Sequence, residues 1–232
     1  NACNYFSSVG NDVLNVDINQ PRDSKSKSMF AQVDICSYDN LNRLLQDFQP
    51  EYIVHLAART DLDGKSVSDY SANIEGVENL VNISNNIQSL KRVIFASSRL
   101  VCKIGYEPKS YNDFCPTTFY GESKMIGEMI VRKQAASSYC WSIVRPTSIW
   151  GPWFDVPYRN FFDSVISNRY IHPKGRLVYK SFGYVENTVS QLESLLLADS
   201  LKMSSKLFYL SDYDPIEVLR FANTIRATLH KP

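Results

Sequence analysis

Tyr120 and Lys124 are the residues of this sequence whose types and spacing best suit acid/base chemistry. They lie in the segment TTFYGESKMIGE. Positions i and i+4 of a helix share one face, so the two side chains are neighbours. An ammonium beside a phenol favours phenolate and lowers the pKa of the phenol, which can then exchange a proton with a sugar hydroxyl. A second Tyr-x-x-x-Lys pair, Tyr170 and Lys174, contains Pro173, which disfavours a continuous helix, and we interpret that pair as structural.

Polar and small residues end several apolar segments that have the composition of buried strands. These residues are Asp17, Asp34 with Ile35, His55 with Leu56, Ala57 and Ala58, and Ser97 with Ser98. In open α/β sheets, ligands bind at the carboxyl ends of the strands. An acid such as Asp17 can accept hydrogen bonds from both adenosine ribose hydroxyls and repels a 2′-phosphate, so it favours NAD over NADP.

The remaining strand-end residues have more specific expected roles. Asp34 can reach an adenine edge, and the small residues at 57 and 58 let the backbone lie close to a cofactor. Ser98 can hydrogen-bond the same substrate oxygen as Tyr120, and Lys124 can hold a nicotinamide ribose. We interpret His55 as a half-buried imidazole whose hydrogen bonds are satisfied, because a lone histidine is rarely a base or a metal ligand.

Strand-like and helix-like segments alternate along the chain. The predicted strands are 12–16, 30–35, 52–57, 92–97, 141–144 and 207–210, and the predicted helices are 39–48, 66–87, 119–134 and 215–229. This alternation predicts an α/β fold with a doubly wound, Rossmann-like parallel sheet. Residues 151–177 are aromatic, basic and rich in Pro and Gly. We therefore predict an NAD-binding domain (1–150, with 178–212 returning to it) and a smaller substrate-binding cap (151–177 and 213–232).

Composition excludes several other classes of protein. The chain has 232 residues, 44% of them hydrophobic and 21% charged, and a net charge of +1, so we expect no nucleic acid as a partner. No apolar run is long enough to span a bilayer, and we expect no membrane association. The five cysteines form no C-x-x-C motif, which indicates reduced thiols, a cytoplasmic protein and no metal site.

These residues, in their order, resemble the extended short-chain dehydrogenase/reductase family, the branch of nucleotide-sugar epimerases and dehydratases. The matching residues are Asp17, Asp34-Ile35, His55-Leu56-Ala57-Ala58, Asn73-x-x-Gly76, Phe95-x-Ser97-Ser98, Tyr120-x-x-x-Lys124 with Glu128, Arg145-Pro146 with Gly151-Pro152, and Tyr184-Val185. The resemblance implies a catalytic set of Ser98, Tyr120 and Lys124. It also implies NAD along the strand ends, in contact with Asn73, Ser97 and Pro146 as well. Ser148, Arg159 and Lys180 are candidate substrate contacts.

The chain departs from the family pattern in two ways that bear on these expectations. The glycine loop G-x-x-G-x-x-G is absent, and the first strand, which is central in this fold, has no counterpart before residue 12. We expect roughly 20–30 further residues before Asn1, because otherwise two half-sheets with unpaired inner edges would remain. Arg99 and Leu100 follow Ser98 where dehydratases of the family have an acid, which disfavours dehydration.

Three functions remain open from the sequence. The first is an NAD-dependent nucleotide-sugar epimerase that works through a transient ketone. The second is a net oxidoreductase of a sugar or another carbonyl compound, and the third is a cofactor-binding protein without catalysis. The resemblance also implies a homodimer in which helices 66–87 and 119–134 pair, although packing on the protein's own sheet explains their apolar stripes equally well.

Overall fold

The computed structural model describes residues 1–136, 138–155, 158–212 and 214–229. The α-helices in these ranges are α1 (Ala2–Ser8), α2 (Tyr38–Phe48), α3 (Ser71–Ser84), α4 (Phe119–Gln134), α5 (Tyr158–Ile166), α6 (Val185–Leu197), α7 (Ser200–Met203) and α8 (Val218–Thr228). The strands are β1 (Asn15–Asp17), β2 (Phe30–Gln32), β3 (Tyr52–His55), β4 (Arg92–Ala96), β5 (Cys140–Pro146), β6 (Ser148–Trp150), β7 (Tyr179–Lys180), β8 (Phe182–Tyr184), β9 (Lys206–Leu210) and β10 (Ile216–Glu217).

The larger of two compact units consists of Ala2–Pro146 and Leu192–Tyr209. Its main sheet has the strand order β3-β4-β5-β9, and the pairs β3–β4 and β4–β5 are parallel. Strands β1 and β2 form a separate parallel pair. Parallel pairing brings the carboxyl ends of β3, β4 and β5 to one edge of the main sheet, which is where His55 and Ser97 lie.

Helices α3 and α4 pack against each other and against the main sheet. Gly127 permits their close approach, because a Cβ at this position would lie 3.0 Å from the carbonyl oxygen of Asn73. The apolar side chains of both helices join the strands in one buried core, whose members include Val77, Leu80, Val81, Phe95, Val131 and Ile143. The apolar stripes of α3 and α4 thus serve the core of this unit.

The smaller compact unit consists of Asn1, Thr147–Gln191 and the chain from Leu210 onwards. It contains a parallel pair, β6–β8, and an antiparallel pair, β7–β10. Its interior is aromatic: the ring of Trp150 lies 5.0 Å from that of Tyr184, 5.1 Å from that of Phe162 and 6.1 Å from that of Phe221. Such ring pairs stabilise a core beyond the apolar area that they bury.

The observed elements follow the predicted ones closely. Every predicted strand overlaps an observed strand, and the predicted helix 119–134 coincides with α4. The observed helix α3 is shorter than the predicted helix 66–87, because a 3₁₀ turn at Val67–Tyr70 precedes it. The boundaries of the compact units differ from the predicted domain boundaries, since β6 pairs with β8 inside the smaller unit. The functional division into an NAD-binding domain and a cap stays a prediction.

Two general properties concern binding partners. Among the helices that the structure describes, none has the length and apolar composition needed to cross a bilayer. Nor do the described residues contain a group of three or more His, Cys, Asp or Glu side chains that could hold a metal ion.

Candidate active site

Helix α4 begins so that Tyr120 and Lys124 both face the protein interior. Thr118 is the N-cap residue, and its hydroxyl oxygen accepts a hydrogen bond from the backbone N–H of Gly121 at 3.0 Å. A side-chain acceptor at this position satisfies a backbone donor that the first turn leaves unpaired. Tyr120 and Lys124 then lie one turn apart, with exposed fractions of 8% and 4%. The buried ring and ammonium therefore share one face of the helix.

The turn that follows β4 brings Ser98 to Tyr120. Ser98 caps a 3₁₀ turn, Arg99–Val101, by accepting a hydrogen bond from the N–H of Leu100 at 3.1 Å. The first turn of α4 lies directly on this 3₁₀ turn, because a Cβ at Gly121 would collide with the carbonyl oxygen of Leu100. The hydroxyl of Ser98 is thereby near enough to the phenol of Tyr120 to lower its pKa as a hydrogen-bonding neighbour.

The pKa of Tyr120 does not follow the predicted direction. Burial of the phenol raises its pKa, the hydrogen bond with Ser98 lowers it, and the neighbouring Tyr70 raises it again. The predicted effect of Lys124, a lower pKa of Tyr120, is not among these influences. The reason lies in the direction of the lysine side chain, because Nζ of Lys124 donates to the carbonyl oxygen of Ala96 at 2.9 Å. Burial disfavours phenolate when no adjacent charge offsets it.

Lys124 is itself perturbed by its surroundings. Burial lowers its pKa to about 8, while the charge of Glu128 acts in the opposite direction. The lysine lines a small pocket together with Asn73, Ser97 and Glu128. Its charge also affects His55, whose pKa falls to about 3, mainly because the ring is buried and secondly because Lys124 is close. His55 is therefore neutral at physiological pH.

Tyr70 packs beside the phenol of Tyr120, with the ring centroids 6.1 Å apart. It is almost fully buried. Its hydroxyl donates to the carbonyl oxygen of Asp61 at 3.0 Å and accepts from the N–H of Gly64 at 3.1 Å. The guanidinium of Arg59 also contacts this ring and lies 5.1 Å from its centroid. Tyr70 thus fixes the loop after β3 against Tyr120.

The predicted cofactor residues fall into two groups. The first group is accessible at the strand ends: Asp17, Asp34, Leu56, Ala57, Ala58 and Pro146 are each exposed or half-buried. Asp17 accepts from the N–H of Asn19 at 2.7 Å, and Asp34 accepts from the N–H of Cys36 at 2.9 Å. These turns fix the two carboxylates where a ligand can reach them.

The second group, Ile35 and Asn73, is buried and makes packing contacts and hydrogen bonds within the protein. The side chain of Ile35 is buried against Gly76, where it occupies the space that a Cβ would need. Asn73 is fully buried; it donates to the carbonyl oxygen of Arg59 and to the hydroxyl of Ser123, both at 3.0 Å, and accepts from the N–H of Arg59 at 2.8 Å. Direct contact of either side chain with a cofactor stays a prediction.

The carboxyl ends of the parallel strands carry groups that suit NAD. Asp17 presents a half-buried carboxylate at the end of β1. Within the described ranges, Oγ of Ser97 and Nε2 of His55 are buried without a hydrogen-bond partner at the ends of β4 and β3. Buried polar atoms are normally paired, so these two indicate a place where a polar ligand is accommodated. The residues present therefore fit a dinucleotide.

The predicted substrate residues other than Ser98 all belong to the smaller unit. Ser148 is half-buried in β6, in register with Phe182 of β8. Arg159, on α5, is exposed and forms ion pairs with Asp155 at 3.2 Å and Asp163 at 3.7 Å. Nζ of Lys180 lies 4.9 Å from the ring centroid of Tyr158. Their role towards a substrate stays a prediction.

A buried ion pair supports helix α4, and the sequence indicated no role for it. Arg145 is fully buried and donates to both carboxylate oxygens of Glu128, at 2.7 and 2.9 Å. It also donates to the hydroxyl of Tyr209 and to the carbonyl oxygen of Tyr111, each at 3.0 Å. The signal in the sequence was the charged pair in otherwise apolar surroundings, one turn after Lys124 and at the end of a strand.

The parallel strands end in acidic and small residues beside the buried Ser98, Tyr120 and Lys124, as the resemblance to the short-chain dehydrogenase/reductase family implies. The sequence model of the NAD dependent epimerase/dehydratase family matches residues 1–187, and the chain belongs to this family. The predictions of the family and of the α/β fold class are thereby confirmed.

The similar proteins include both dehydrogenases and epimerases. The 3 beta-hydroxysteroid dehydrogenase/Delta 5-->4-isomerase of Mycobacterium tuberculosis is 26% identical over 192 residues, which are 75% of this chain and 51% of that protein. The chain thus spans about half the length of this curated relative. Bordetella bronchiseptica WbmG, solved with NAD and UDP, has a TM-score of 0.79 at 16% identity and covers 100% of this chain and 74% of its own. The UDP-glucose 4-epimerase of Thermotoga maritima, solved with UDP-glucose, has a TM-score of 0.77 at 17% identity, with coverages of 97% and 77%.

Proposed function

We propose that this protein is an NAD-dependent epimerase of a nucleotide sugar that works through a transient ketone. The observation that supports this proposal most is the buried hydroxyl of Ser98 beside the buried phenol of Tyr120 at the carboxyl end of β4, one helical turn from the buried Lys124. A hydroxyl pair of this kind can bind one substrate oxygen and exchange its proton.

Tyr120 is the proposed acid and base. When the substrate is oxidised, the phenolate of Tyr120 takes the proton of the reacting hydroxyl, and Ser98 holds that oxygen by a hydrogen bond. NAD, when bound, would supply hydride transfer at the carbon that bears this oxygen. Because burial raises the pKa of Tyr120, the phenol is protonated at neutral pH. It is thus ready to protonate the ketone oxygen, and the oxidative half-reaction should accelerate as the pH rises.

The residues proposed to hold the ligands lie at the strand ends and in the smaller unit. Asp17 would bind the adenosine ribose of NAD, and Lys124 the nicotinamide ribose. Ser148, Arg159 and Lys180 would contact the diphosphate of the sugar nucleotide. The named ligands of the two similar structures, UDP and UDP-glucose, support a nucleotide sugar as the substrate class.

A net oxidoreductase is the second candidate, and two observations favour it. Arg159 pairs with two carboxylates, and Lys180 lies over an aromatic ring. Both cations would therefore have to give up existing contacts to bind a phosphate. The relative from Mycobacterium tuberculosis, named as a hydroxysteroid dehydrogenase, is consistent with this alternative.

The first experiment distinguishes these candidates. The full protein is purified without added cofactor, denatured, and its released nicotinamide is identified. Stoichiometric NAD supports the epimerase, which recycles its cofactor, whereas a site that exchanges NADH freely supports the oxidoreductase. Interconversion of UDP-sugars and reduction of NAD by alcohols are then assayed directly.

The catalytic assignment has its own test with a matched control. Tyr120→Phe should lower turnover by about 10²–10⁴-fold, the usual contribution of a general acid or base. Tyr170→Phe, in the other Tyr-x-x-x-Lys pair, should change it by no more than a few-fold. Equal effects of the two substitutions, with NAD still bound, would exclude Tyr120 as the acid/base.

We also infer a homodimer and a cytoplasmic location. The support for the dimer is the neighbouring pair of helices α3 and α4, with Met129 of α4 exposed. The support for the location is the cysteine pattern of the sequence. Light scattering of the purified protein, and of Met129→Glu, tests the dimer: the wild type should have twice the mass of the chain, and the variant should be shifted towards the monomer.

A further inference from the structure

We propose that Cys102 and Cys115 form a reversible intramolecular disulfide at the neck of the loop between Ser98 and Tyr120. Cys102 follows Ser98 by four positions, and Cys115 precedes Tyr120 by five. The pair would thus be a redox modification site next to the residues proposed for catalysis. The bond itself is independent of the proposed function; only its effect on turnover rests on that function.

The backbone holds the two cysteines side by side. They are partners in an isolated parallel β-bridge, in which the N–H of Lys103 donates to the carbonyl oxygen of Cys115 at 2.7 Å and the N–H of Cys115 donates to that of Val101 at 3.0 Å. Paired strands lie about 4.8 Å apart. Disulfides join residues whose Cα atoms are roughly 4.4–6.8 Å apart, so this pair is within the range.

The two sulfur atoms also lie in the same neighbourhood. The thiol of Cys102 donates to the carbonyl oxygen of Asp113 at 3.4 Å, so it faces the strand that leads to Cys115. The carboxylate of Asp113 accepts a hydrogen bond from the hydroxyl of Tyr106 at 2.7 Å, and this bond is the main reason why the pKa of Tyr106 is raised to about 12. Cys115 and Cys102 raise the pKa of Tyr106 as well, in keeping with their place beside this phenol.

The loop between the cysteines is a folded unit with one closed end. The N–H of Lys109 donates to the carboxylate of Asp113 at 2.8 Å, and the N–H of Tyr106 donates to the carbonyl oxygen of Lys103 at 3.1 Å. A covalent bond at the neck would therefore link two segments that already pair. Because the disulfide fixes the distance between the two Cβ atoms at about 3.8 Å, the neck would have to adjust when the bond forms.

Accessibility sets the order of the chemical steps. Cys115 is half-buried and Cys102 is buried, so a peroxide reaches Cys115 first. The thiolate of Cys115 attacks one peroxide oxygen; an S–O bond forms, the O–O bond breaks, and one water leaves after protonation. The thiolate of Cys102 then attacks the sulfenic sulfur; the S–S bond forms, and hydroxide leaves as a second water. Two thiols lose two electrons and two protons in all, and a dithiol reductant reverses the change.

The test is peptide mapping of the whole protein after treatment with hydrogen peroxide. Trypsin separates the two cysteines, because cleavage after Arg99, Lys103, Lys109 and Lys124 places them in peptides 100–103 and 110–124. We expect a linked pair of these peptides, about 2 Da lighter than their sum. The count of titratable thiols should fall by two from five, and dithiothreitol should restore both.

Variants separate this pair from the other cysteines and from catalysis. Cys115→Ser should abolish the linked peptides, whereas Cys36→Ser, at another half-buried cysteine outside the loop, should leave them unchanged. Oxidised wild-type protein should turn over about tenfold or more slowly, as displacements near 1 Å at a reacting site do, and Cys115→Ser should not respond. Unlinked peptides carrying sulfinic acid, or links to Cys3, Cys36 or Cys140, would overturn the disulfide. Linked peptides with unchanged turnover would overturn the effect on activity, and neither result depends on the outcome for Tyr120→Phe.

Discussion

Replacing Glu128 by Gln should destabilise this protein more than the replacement of an exposed carboxylate. The Glu128 side chain is 1% exposed and that of Arg145 is 0% exposed, and two hydrogen bonds join their charged groups. The amide introduced by this substitution would retain one acceptor oxygen and would turn its NH₂ group towards the guanidinium. Arg145 would then remain buried with an uncompensated positive charge.

The cost follows from this loss of charge rather than from the loss of one hydrogen bond. Removing one partner of a buried ion pair costs about 3–5 kcal/mol. Arg145 keeps its bonds to Tyr209 and Tyr111 and its contact with the ring of Phe114, at 5.3 Å, so the lower half of that range is the better expectation. For a protein of this size, about 3 kcal/mol corresponds to a fall in Tm of roughly 6–12 °C.

Urea unfolding and thermal melts of the whole protein measure this effect. The matched control is Glu51→Gln, because Glu51 pairs with Lys91 at a similar distance, 2.9 Å, but both side chains are exposed by more than half. We expect no measurable change for the control, since exposed pairs contribute little. The double variant Glu128→Met with Arg145→Leu should recover part of the lost stability, because it removes the buried guanidinium together with its carboxylate. A melting temperature for Glu128→Gln within about 2 °C of the control would refute the reasoning, since the expected fall is several times larger.

Three further predictions concern single residues. His55 binds a proton near pH 6.5 in the unfolded chain but only near pH 3 in the folded protein. The free energy of unfolding should therefore fall as the pH drops through this window, by up to about 1.4 kcal/mol per pH unit. Urea unfolding at several pH values should show a flatter profile for His55→Leu, and an unchanged profile would contradict the shift. Gly121→Ala forces a methyl group against a backbone oxygen of the neighbouring 3₁₀ turn, and should cost about 1–3 kcal/mol in thermal unfolding; an unchanged melting temperature would contradict the close approach. Asp17→Ser should raise the affinity for NADP relative to NAD by about tenfold or more in fluorescence titrations, whereas Asp12→Ser should not; tight NADP binding by the wild type would argue against the role of Asp17.

Much of the fold could be predicted from local sequence, since strands and helices are governed by apolar periodicity and capping residues. Helix α4 is an example: Thr118 and the apolar spacing after it determine where the helix begins. The separate pairing of β1 with β2, and of β6 with β8 in the smaller unit, required the structure. Pairing depends on residues far apart in the chain, which periodicity does not identify.

The candidate site shows the same division. The sequence by itself determined that Ser98, Tyr120 and Lys124 follow strand ends or begin a helix, because the order of elements in a parallel fold brings such positions to one edge. Only the tertiary structure decided how these groups interact. Lys124 donates to Ala96 and is not a neighbour that lowers the pKa of Tyr120, while burial raises that pKa.

Buried polar residues depended on tertiary structure most of all. The guanidinium of Arg92 donates to the carbonyl oxygens of Leu196 and Ala198, both at 2.7 Å, and so closes the carboxyl end of α6. The side-chain amide of Asn73 donates hydrogen bonds to the loop after β3 and to α4. The sequence specifies a donor or an acceptor at each position, but its partner lies on another element. Packing determines that partner, because most buried polar groups in a folded protein are hydrogen-bonded.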